Sequence, residues 1–325
     1  MRHFSIVVLL VLLGTCNLAL SQSKDSDKGQ FSGNLLMTYQ KYVRDDSIGA
    51  TTKVYKENTA SADAWLFMQY RIKGYSFILR YDAFNNSPLL DPQDAYTNHG
   101  IGFWQINKSV DKLDITMGSF YDQFGTGILF RAYEQRQIGI DYAIQGMRLK
   151  YNINDKWAVK GFAGNQKGNI KNRFGFANQV ISGLNIEGNI DLGKDSKYGA
   201  LQVGASAVNR TLDRETMDRL VGTINTYDLA DRFYPKYNVY GGNAYFTYTK
   251  DNFSWTVEGN VKSKEAIMDD NTKFYLRSGK VLYSSMSWGK GGWNLGGQKA
   301  SIGLNVQARH VDNFSFRTAP TENLL

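Results

Sequence analysis

Residues 75–83 read YSFILRYDA, and the alternation in this stretch decides the predicted fold. Arg80 and Asp82 fall on one face of the pattern, together with Ser76 and Ile78. Alternate side chains point to opposite faces of a β-strand, so a period of two residues predicts a strand. The other face carries Tyr75, Phe77, Leu79 and Tyr81. The stretch therefore predicts a strand with one apolar face and one face that carries charge.

The same period recurs along the chain, at 112–118, 180–191, 252–262 and 301–309. A soluble sandwich of two sheets would give this alternation too, so the length of the strands has to separate the two folds. Several candidate strands approach the roughly nine to eleven residues that a tilted membrane strand needs. Soluble strands average about five or six residues. Strand length therefore favours a membrane sheet.

The connections between the candidate strands alternate between long and short. This rhythm is typical of an up-and-down outer-membrane barrel, whose turns are tight on one side and whose loops are long on the other. The predicted strands are 31–42, 62–72, 75–84, 99–107, 112–119, 144–151, 156–164, 177–191, 197–209, 237–249, 253–262, 279–288 and 293–309. The predicted long connections are 43–61, 85–98, 120–143, 165–176, 210–236 and 263–278, and the short ones are 73–74, 108–111, 152–155, 193–196, 250–252 and 289–292. The predicted fold class is an all-β, antiparallel, up-and-down transmembrane β-barrel.

Thirteen predicted strands are an odd number, whereas single-chain bacterial barrels have an even number. The chain also ends in TAPTENLL, without the terminal aromatic residue with which barrel strands commonly finish. Either one strand is misassigned or the sequence is a piece of a longer protein, and we favour the second explanation. We therefore expect an incomplete barrel that lacks at least one strand.

The first residues have the layout of a secretory signal. Arg2 and His3 precede an apolar run at 4–13, and the small residues at 19–21 predict cleavage after Ser21. The predicted domains are a signal peptide at 1–21, a polar periplasmic lead-in at 22–30 and a C-terminally truncated barrel at 31–325. An uncleaved membrane anchor and a lipoprotein signal at Cys16 are the alternatives. Cleavage after Ser21 removes the single cysteine, which excludes disulfides and thiol chemistry in the mature chain.

The charge pattern excludes one class of partner. Lys and Arg number 38 against 30 Asp and Glu, which gives a formal net charge of +8. The basic residues are interleaved with acids, whereas a nucleic-acid-binding protein collects them on one face or arm. We therefore expect no nucleic acid partner, and a solvated surface or a lumen with a mild bias toward anionic solutes.

Catalytic and metal-binding patterns find little support. The mature chain has two histidines, His99 and His310, and no local sequence pairs either with a positioned serine and acid. The acidic pairs in the long connections lack the spacing of a calcium loop. The GTG at 125–127 has no third glycine at Phe130, so it is not a dinucleotide-binding loop. The sequence predicts a protein that is not an enzyme, with no cofactor and no metal site.

The predicted connection 120–143 combines apolar and charged residues in an unusual way. Phe124, Leu129 and Phe130 are too apolar to remain in water, and several charges lie among them. We expect this loop to fold back into the barrel, where its charges would line a constriction as in porins. A compact external loop with solvated charges is the alternative. The candidate lumen or constriction residues are Arg80, Asp122, Arg131, Glu134, Arg136, Asp141 and Arg148.

Residues 113–151, LDITMGSFYDQFGTGILFRAYEQRQIGIDYAIQGMRLKY, resemble the characteristic segment of an uncharacterised family of bacterial outer-membrane proteins, a domain of unknown function. The segment is also similar in layout to alginate-export and sugar-porin barrels, in which a strand, a glycine turn and an Arg/Asp-rich inward loop follow one another. The rest of the chain is similar to these proteins only in the alternation of long and short connections between strands. The resemblance implies a barrel in the cell envelope and members longer than this chain, and it implies no substrate.

The sequence thus predicts a porin-like channel or exporter in the bacterial outer membrane, passing small polar or carbohydrate solutes. A non-conducting structural or surface-binding barrel in an envelope complex is the alternative, and a membrane-embedded hydrolase using His99 or His310 is a weaker one. The expected partners are outer-membrane lipid, a small polar or carbohydrate solute and, in the second case, envelope proteins.

Overall fold

Thirteen antiparallel strands of the described residues form one sheet, in which each strand pairs with its neighbours in sequence order. The protein is represented by a computed structural model that describes residues 28–87, 96–136, 139–167, 173–269 and 273–314. The strands are β1 (Gln30–Lys41), β2 (Ala60–Ile72), β3 (Tyr75–Ser87), β4 (Tyr96–Val110), β5 (Leu113–Phe120), β6 (Ile144–Asn152), β7 (Trp157–Lys167), β8 (Phe176–Asp191), β9 (Ala200–Thr211), β10 (Asn238–Lys250), β11 (Phe253–Met268), β12 (Phe274–Leu295) and β13 (Gln298–Asp312). All thirteen predicted strands are confirmed, with shifted ends.

The sheet has two outer edges in the part of the chain that the structure describes. β1 pairs only with β2, and β13 pairs only with β12, so the described strands do not close into a ring. The predicted signal peptide 1–21 and most of the predicted lead-in 22–30 lie outside the described residues. The fold class is therefore an antiparallel up-and-down sheet of thirteen strands that is open at β1 and β13.

The distribution of apolar and polar side chains over the two faces of the sheet is the reverse of that in a soluble protein. Large apolar side chains are exposed on one face of most strands, including Phe77, Met117, Leu149, Ile186 and Leu282. The other face holds buried polar and charged side chains, including Arg80, Asp82, Asn185, Arg210 and Glu258. An apolar exterior around a polar interior is the arrangement of a transmembrane barrel. The alternation in 75–83 has this physical meaning, because its aromatic face is exposed and its charged face is covered.

Tight turns join strands at one end of the sheet, as at Lys73–Gly74 and 251–252. The sequence predicts another tight turn at 289–292, and this prediction is wrong: the chain turns at Gly296–Gly297, where the backbone φ values are +58° and +85°. These left-handed conformations suit glycine and the two-residue hairpin turn. Gly292 instead lies at a bulge, where the pairing of β12 with β13 shifts register between Gly291 and Trp293.

Longer connections lie at the opposite end of the sheet. The prediction of a long connection at 263–278 was wrong, because β11 and β12 extend to Met268 and from Phe274. A register shift between Lys262 and Glu265 lets the two strands continue pairing beyond the predicted end. Long and short connections otherwise alternate, although the one at 192–199 is longer than predicted and contains a 3-10 helix, Lys194–Ser196.

The described parts of the long connections contain two α-helices, α1 (Lys53–Glu57) and α2 (Arg214–Asn225). Short 3-10 helices occur there at Asp46–Ile48 and Leu229–Asp231. Asp213 caps α2 by accepting a hydrogen bond from the backbone N–H of Thr216 at 3.0 Å. The buried face of α2 covers the loop ends of β11 and β12, where its Met217, Leu220 and Ile224 pack with Ala266 and Phe274. No described helix is long and apolar enough to cross a bilayer.

Candidate functional site

The connection 121–143, here called the inner loop, contains two small hairpins. Asp122–Phe124 pairs with Phe130–Ala132, and Glu134–Gln135 pairs with Ile140–Asp141. The first hairpin turns at 125–127, where the N–H of Gly127 donates to the carbonyl of Phe124 at 2.9 Å. Gly125 and Gly127 have φ values of +54° and +87°, which explains why glycine flanks Thr126. The GTG thus forms a hairpin tip.

The apolar side of the first hairpin packs against the covered face of the sheet. Phe124, Leu129 and Phe130 are buried, and the rings of Phe130 and Phe162 stack with centroids 4.4 Å apart. Phe314, which follows β13, packs against the same cluster. The strand residues of this cluster are Phe120, Ile144, Phe162, Ile181 and Val208. Because they come from five strands, β5 to β9, the inner loop lies across the polar side of the sheet.

The tip of the hairpin reaches further, to β11. The backbone N–H of Thr126 donates to the Oε2 of Glu258 at 2.6 Å, and the Nδ2 of Asn243 donates to the other carboxylate oxygen at 2.9 Å. Glu258 is fully buried. A bond between β11 and a loop that leaves β5 requires the sheet to wrap around the loop. The tip is therefore fixed to a strand that lies six positions away from β5 in the sheet order.

The second hairpin is fixed by ion pairs around Arg80 of β3. The guanidinium binds both oxygens of Asp82 at 2.7 and 2.9 Å, the Oε1 of Glu134 at 2.6 Å and the Oδ2 of Asp141 at 3.2 Å. The side chain of Arg80 is only 3% exposed. A guanidinium presents several donors in a fixed plane, which suits a site shared by three carboxylates. Arg80 therefore joins the wall of the sheet to both strands of the second hairpin.

Lys167 of β7 and Arg136 of the loop complete this group. The Nζ of Lys167 contacts the Oδ2 of Asp141 at 2.8 Å and the carbonyl of Gly102 at 2.5 Å. Arg136 pairs with Glu134 at 2.9 Å and lies over the ring of Phe67. We call this group the Arg80 network, and its members are Arg80, Asp82, Glu134, Arg136, Asp141 and Lys167. It contains three cations and three carboxylates, so its formal charge is balanced.

A second ion-pair group lies at the start of the inner loop. Asp122 contacts the Nζ of Lys160 at 2.6 Å and the Nη1 of Arg148 at 3.3 Å. Arg148 also donates to the hydroxyl of Thr116 at 3.2 Å. Lys160 and Arg148 come from β7 and β6, so this group ties the first hairpin to the strands beside it. With two cations to one carboxylate, it leaves one formal positive charge.

The structure brings together six of the seven residues predicted for the site. Arg80, Glu134, Arg136 and Asp141 lie in the Arg80 network, and Asp122 and Arg148 lie in the second group. Arg131 stands apart: it is exposed and lies over the ring of Tyr133 at 4.3 Å. The prediction did not include four charged residues that hold the loop, Asp82, Lys160, Lys167 and Glu258. The alternation of 75–83, which places Asp82 beside Arg80 on one face, could have identified the first of them.

Asp141 is the most connected carboxylate of the loop. The hydroxyl of Tyr121 and the backbone N–H of Ala143 both donate to its Oδ1, at 3.0 and 3.2 Å. Burial alone would raise the pKa of Asp141, but Lys167 and Arg80 outweigh this effect and hold the pKa below its ordinary value. Burial, reinforced by the charge of Asp141, raises the pKa of Tyr121. Asp141 therefore stays ionised and Tyr121 stays a hydrogen-bond donor at neutral pH.

The lowered pKa of Asp141 predicts how docking of the inner loop depends on pH. A depressed carboxyl pKa adds stability that is fully present above the ordinary aspartate value, about 3.9. That stability is lost as the pH falls through the lower pKa of the folded state. We expect the inner loop to resist an acid protease at pH 4 and to become cleavable at lower pH. Asp141→Asn should lack this contribution, and an identical cleavage profile in that variant would contradict the assignment to Asp141.

In the part of the chain that the structure describes, neither His99 nor His310 lies in a catalytic group. His99 is exposed, and its Nδ1 lies 2.7 Å from the hydroxyl of Tyr81 on the apolar face of β3. His310 lies on β13, opposite Leu282 of β12. Among the described residues, no three His, Cys, Asp or Glu side chains are grouped so that they could hold a metal ion.

An up-and-down antiparallel sheet with an apolar exterior, a polar interior and a loop docked inside defines the class of outer-membrane β-barrels. The predicted location, the bacterial outer membrane, is the one that this class occupies. The chain belongs to the family of unknown function DUF6029, whose model matches residues 1–324. The predicted membership of an uncharacterised outer-membrane barrel family is confirmed. No curated protein matches the sequence.

Solved barrels resemble the chain distantly. OccK8 (OprE) of Pseudomonas aeruginosa is 8% identical with a TM-score of 0.38, and the match covers 87% of this chain and 93% of that one. OmpT, an outer membrane protein of Vibrio cholerae folded in vitro, is 10% identical with a TM-score of 0.31, over 90% of this chain and 100% of that one. The fold class rests on the strand pairing of the chain itself.

Proposed function

We propose that the protein is a porin-like channel for small polar or carbohydrate solutes, in which the inner loop narrows the lumen. The observation that carries the proposal is the docking of 121–143 across the polar face of the sheet, through Arg80, Lys167 and Glu258. A loop held at three separate strands is a fixed constriction. A polar wall can replace part of the hydration shell of a passing solute, which lets small hydrophilic molecules through.

The charge balance of the site bears on the class of solute. The Arg80 network has equal numbers of cations and carboxylates, and the Asp122 group has one excess positive charge. A site that selected strongly for ions would present a ring of one sign. We infer that selection acts on size and hydrogen bonding, with a slight preference for anions over cations.

The proposal is tested with the purified full-length protein in planar lipid bilayers and in liposomes. We expect stepwise ion conductance with weak anion selectivity, and swelling of liposomes in isotonic solutions of small neutral sugars. Bilayers that received the heat-unfolded protein serve as the control. Silent bilayers together with absent swelling would reject the channel.

A second candidate is a non-conducting structural barrel that binds an envelope protein. The side chains of Arg80 and Lys167 are only 3% and 4% exposed. Arg80 binds carboxylates, and Lys167 binds a carboxylate and the carbonyl of Gly102, as in a plug that no solute touches. Copurification with an envelope complex and silence in bilayers would favour this candidate. Conductance in the same bilayers would reject it.

A further inference from the structure

A lysine lies on the lipid-facing side of the sheet, at the end where the strands are joined by tight turns. Lys108 of β4 is directly opposed to Tyr75 of β3 and to Ile115 of β5. Directly opposed residues of neighbouring strands share a face, and Tyr75 is 43% exposed on the apolar face. The tight turns of outer-membrane barrels lie on the periplasmic side. Lys108 therefore lies at the level of the periplasmic leaflet, which consists of phospholipids.

The ammonium group of Lys108 is held in a defined position at the turn between β2 and β3. Its Nζ donates to the carbonyl of Lys73 at 2.8 Å and lies 4.1 Å from the centre of the Tyr75 ring. An ammonium has three N–H donors, and the bond to the carbonyl uses one of them. Lys73 is itself exposed, so a second cation is available at the same turn. We call Lys73, Tyr75 and Lys108 the lysine turn.

The positive charge of the lysine turn is not balanced by a nearby carboxylate. Neither Lys73 nor Lys108 forms an ion pair with another described residue. Lys156, in the tight connection between β6 and β7, differs in this respect because its Nζ contacts the carboxylate of Asp191 at 2.7 Å. Two neighbouring cations repel each other, and an anion that binds both removes the repulsion. The lysine turn is therefore suited to an anionic group from outside the chain.

The surface next to the lysine turn defines what that anion is attached to. The next row of the same face toward the membrane centre runs through Tyr70, Phe77, Ile106 and Met117. Tyr70, Phe77 and Met117 are exposed, and the rings of Phe77 and Tyr75 stack with centroids 6.1 Å apart. Aromatic rings and lysine ammonium groups favour the boundary between lipid and water. A cationic site that continues into an apolar strip fits a lipid headgroup with its acyl chains, whereas a free phosphate ion would use only the cations.

We propose that the lysine turn binds the headgroup of an anionic phospholipid, phosphatidylglycerol, in the periplasmic leaflet. The lipid phosphate accepts a hydrogen bond from the Nζ of Lys108 and pairs with the ammonium of Lys73. The acyl chains lie along Phe77 and Met117. Phosphatidylethanolamine carries an additional ammonium group that the same two lysines repel, so it binds less tightly. The site lies on the outside of the sheet and does not depend on the proposed channel function.

The test titrates the full-length protein in detergent micelles with phosphatidylglycerol or phosphatidylethanolamine and measures bound lipid by native mass spectrometry. The wild type should bind phosphatidylglycerol more tightly than phosphatidylethanolamine. Lys73→Gln/Lys108→Gln should lower the affinity for phosphatidylglycerol roughly tenfold, because two cations near the headgroup are lost. Lys156→Gln is the matched control, since it removes a cation at the same end of the sheet that is already paired. It should leave this affinity unchanged.

A second measurement separates loss of the site from loss of the fold. Both lysines of the lysine turn lie on the surface, so the thermal unfolding midpoint of the double variant in lipid-free detergent should stay within about 2 °C of the wild type. With the fold intact, three results would overturn the site: equal affinity of the wild type for the two lipids, wild-type affinity in the double variant, or displacement of phosphatidylglycerol by sodium phosphate. Silent bilayers would reject the channel and leave the lipid site standing, because the lysine turn lies outside the lumen.

Discussion

Arg80→Ala should release the inner loop and raise the conductance of the proposed channel severalfold. The substitution removes a guanidinium that contacts Asp82, Glu134 and Asp141 at once, and all of these side chains are largely buried. Removing one partner from a buried ion pair costs about 3–5 kcal/mol, because the remaining charge stays desolvated. Glu134 keeps Arg136 and Asp141 keeps Lys167, but Asp82 loses the cation that pairs with it. If the second hairpin moves away from the wall, water can reach the unpaired carboxylate of Asp82, so release of this hairpin is the expected response.

Trypsin cleavage and bilayer conductance measure this release. In the wild type the docked loop should resist cleavage after Arg136, and in Arg80→Ala the same bond should be cut at least tenfold faster. Arg131→Ala is the matched control, because Arg131 belongs to the same loop, is exposed and lies outside both ion-pair groups. It should leave cleavage after Arg136 and conductance near the wild-type values. An Arg80→Ala protein with the conductance and protease resistance of the wild type would refute the role of Arg80 as the anchor.

The strands were predictable from the sequence because their signal is local. A period of two depends only on neighbouring side chains, and the stretch around Arg80 shows it without knowledge of the rest of the fold. The ends of β12 were not predictable in this way. Both 289–292 and 296–297 are rich in glycine, and only the pairing of β12 with β13 decides which of them turns and which forms a bulge.

The sequence identifies most residues of the site but does not show which of them are in contact. The apolar and charged composition of 120–143 marked the loop, but Arg80 and Asp141 are 61 positions apart, and their contact depends on how the sheet wraps. The prediction misses Lys167 because it places a connection at 165–176, whereas β7 extends to Lys167. The prediction includes Arg131 because the density of charges along the sequence does not show which way a side chain points. It lies between buried Phe130 and Ala132, so alternation within the small hairpin points it outward.

Phe124→Ala should destabilise the protein by about 3–5 kcal/mol, the range for truncating a buried phenylalanine. Phe124 has no exposed surface, and its ring lies 5.2 Å from that of Phe130 and 5.6 Å from that of Phe162. The cavity would open between the inner loop and β7, where the ring of Phe124 packs against that of Phe162. Denaturant unfolding in detergent micelles measures the change in free energy. Tyr234→Ala, at a side chain 88% exposed in the connection 212–237, is the control and should change it by less than about 0.5 kcal/mol.

The double variant Arg80→Ala/Phe124→Ala tests whether the inner loop docks as one unit. Arg80 holds the second hairpin and Phe124 holds the first, and the two contacts share no partner. If either substitution alone frees the whole loop, the second has little left to remove, so the double variant should be destabilised by less than the sum of the single changes. Additive free energies would mean that the two hairpins dock independently. In that case each hairpin would narrow the lumen separately, and Arg80→Ala would open only the part beside β3.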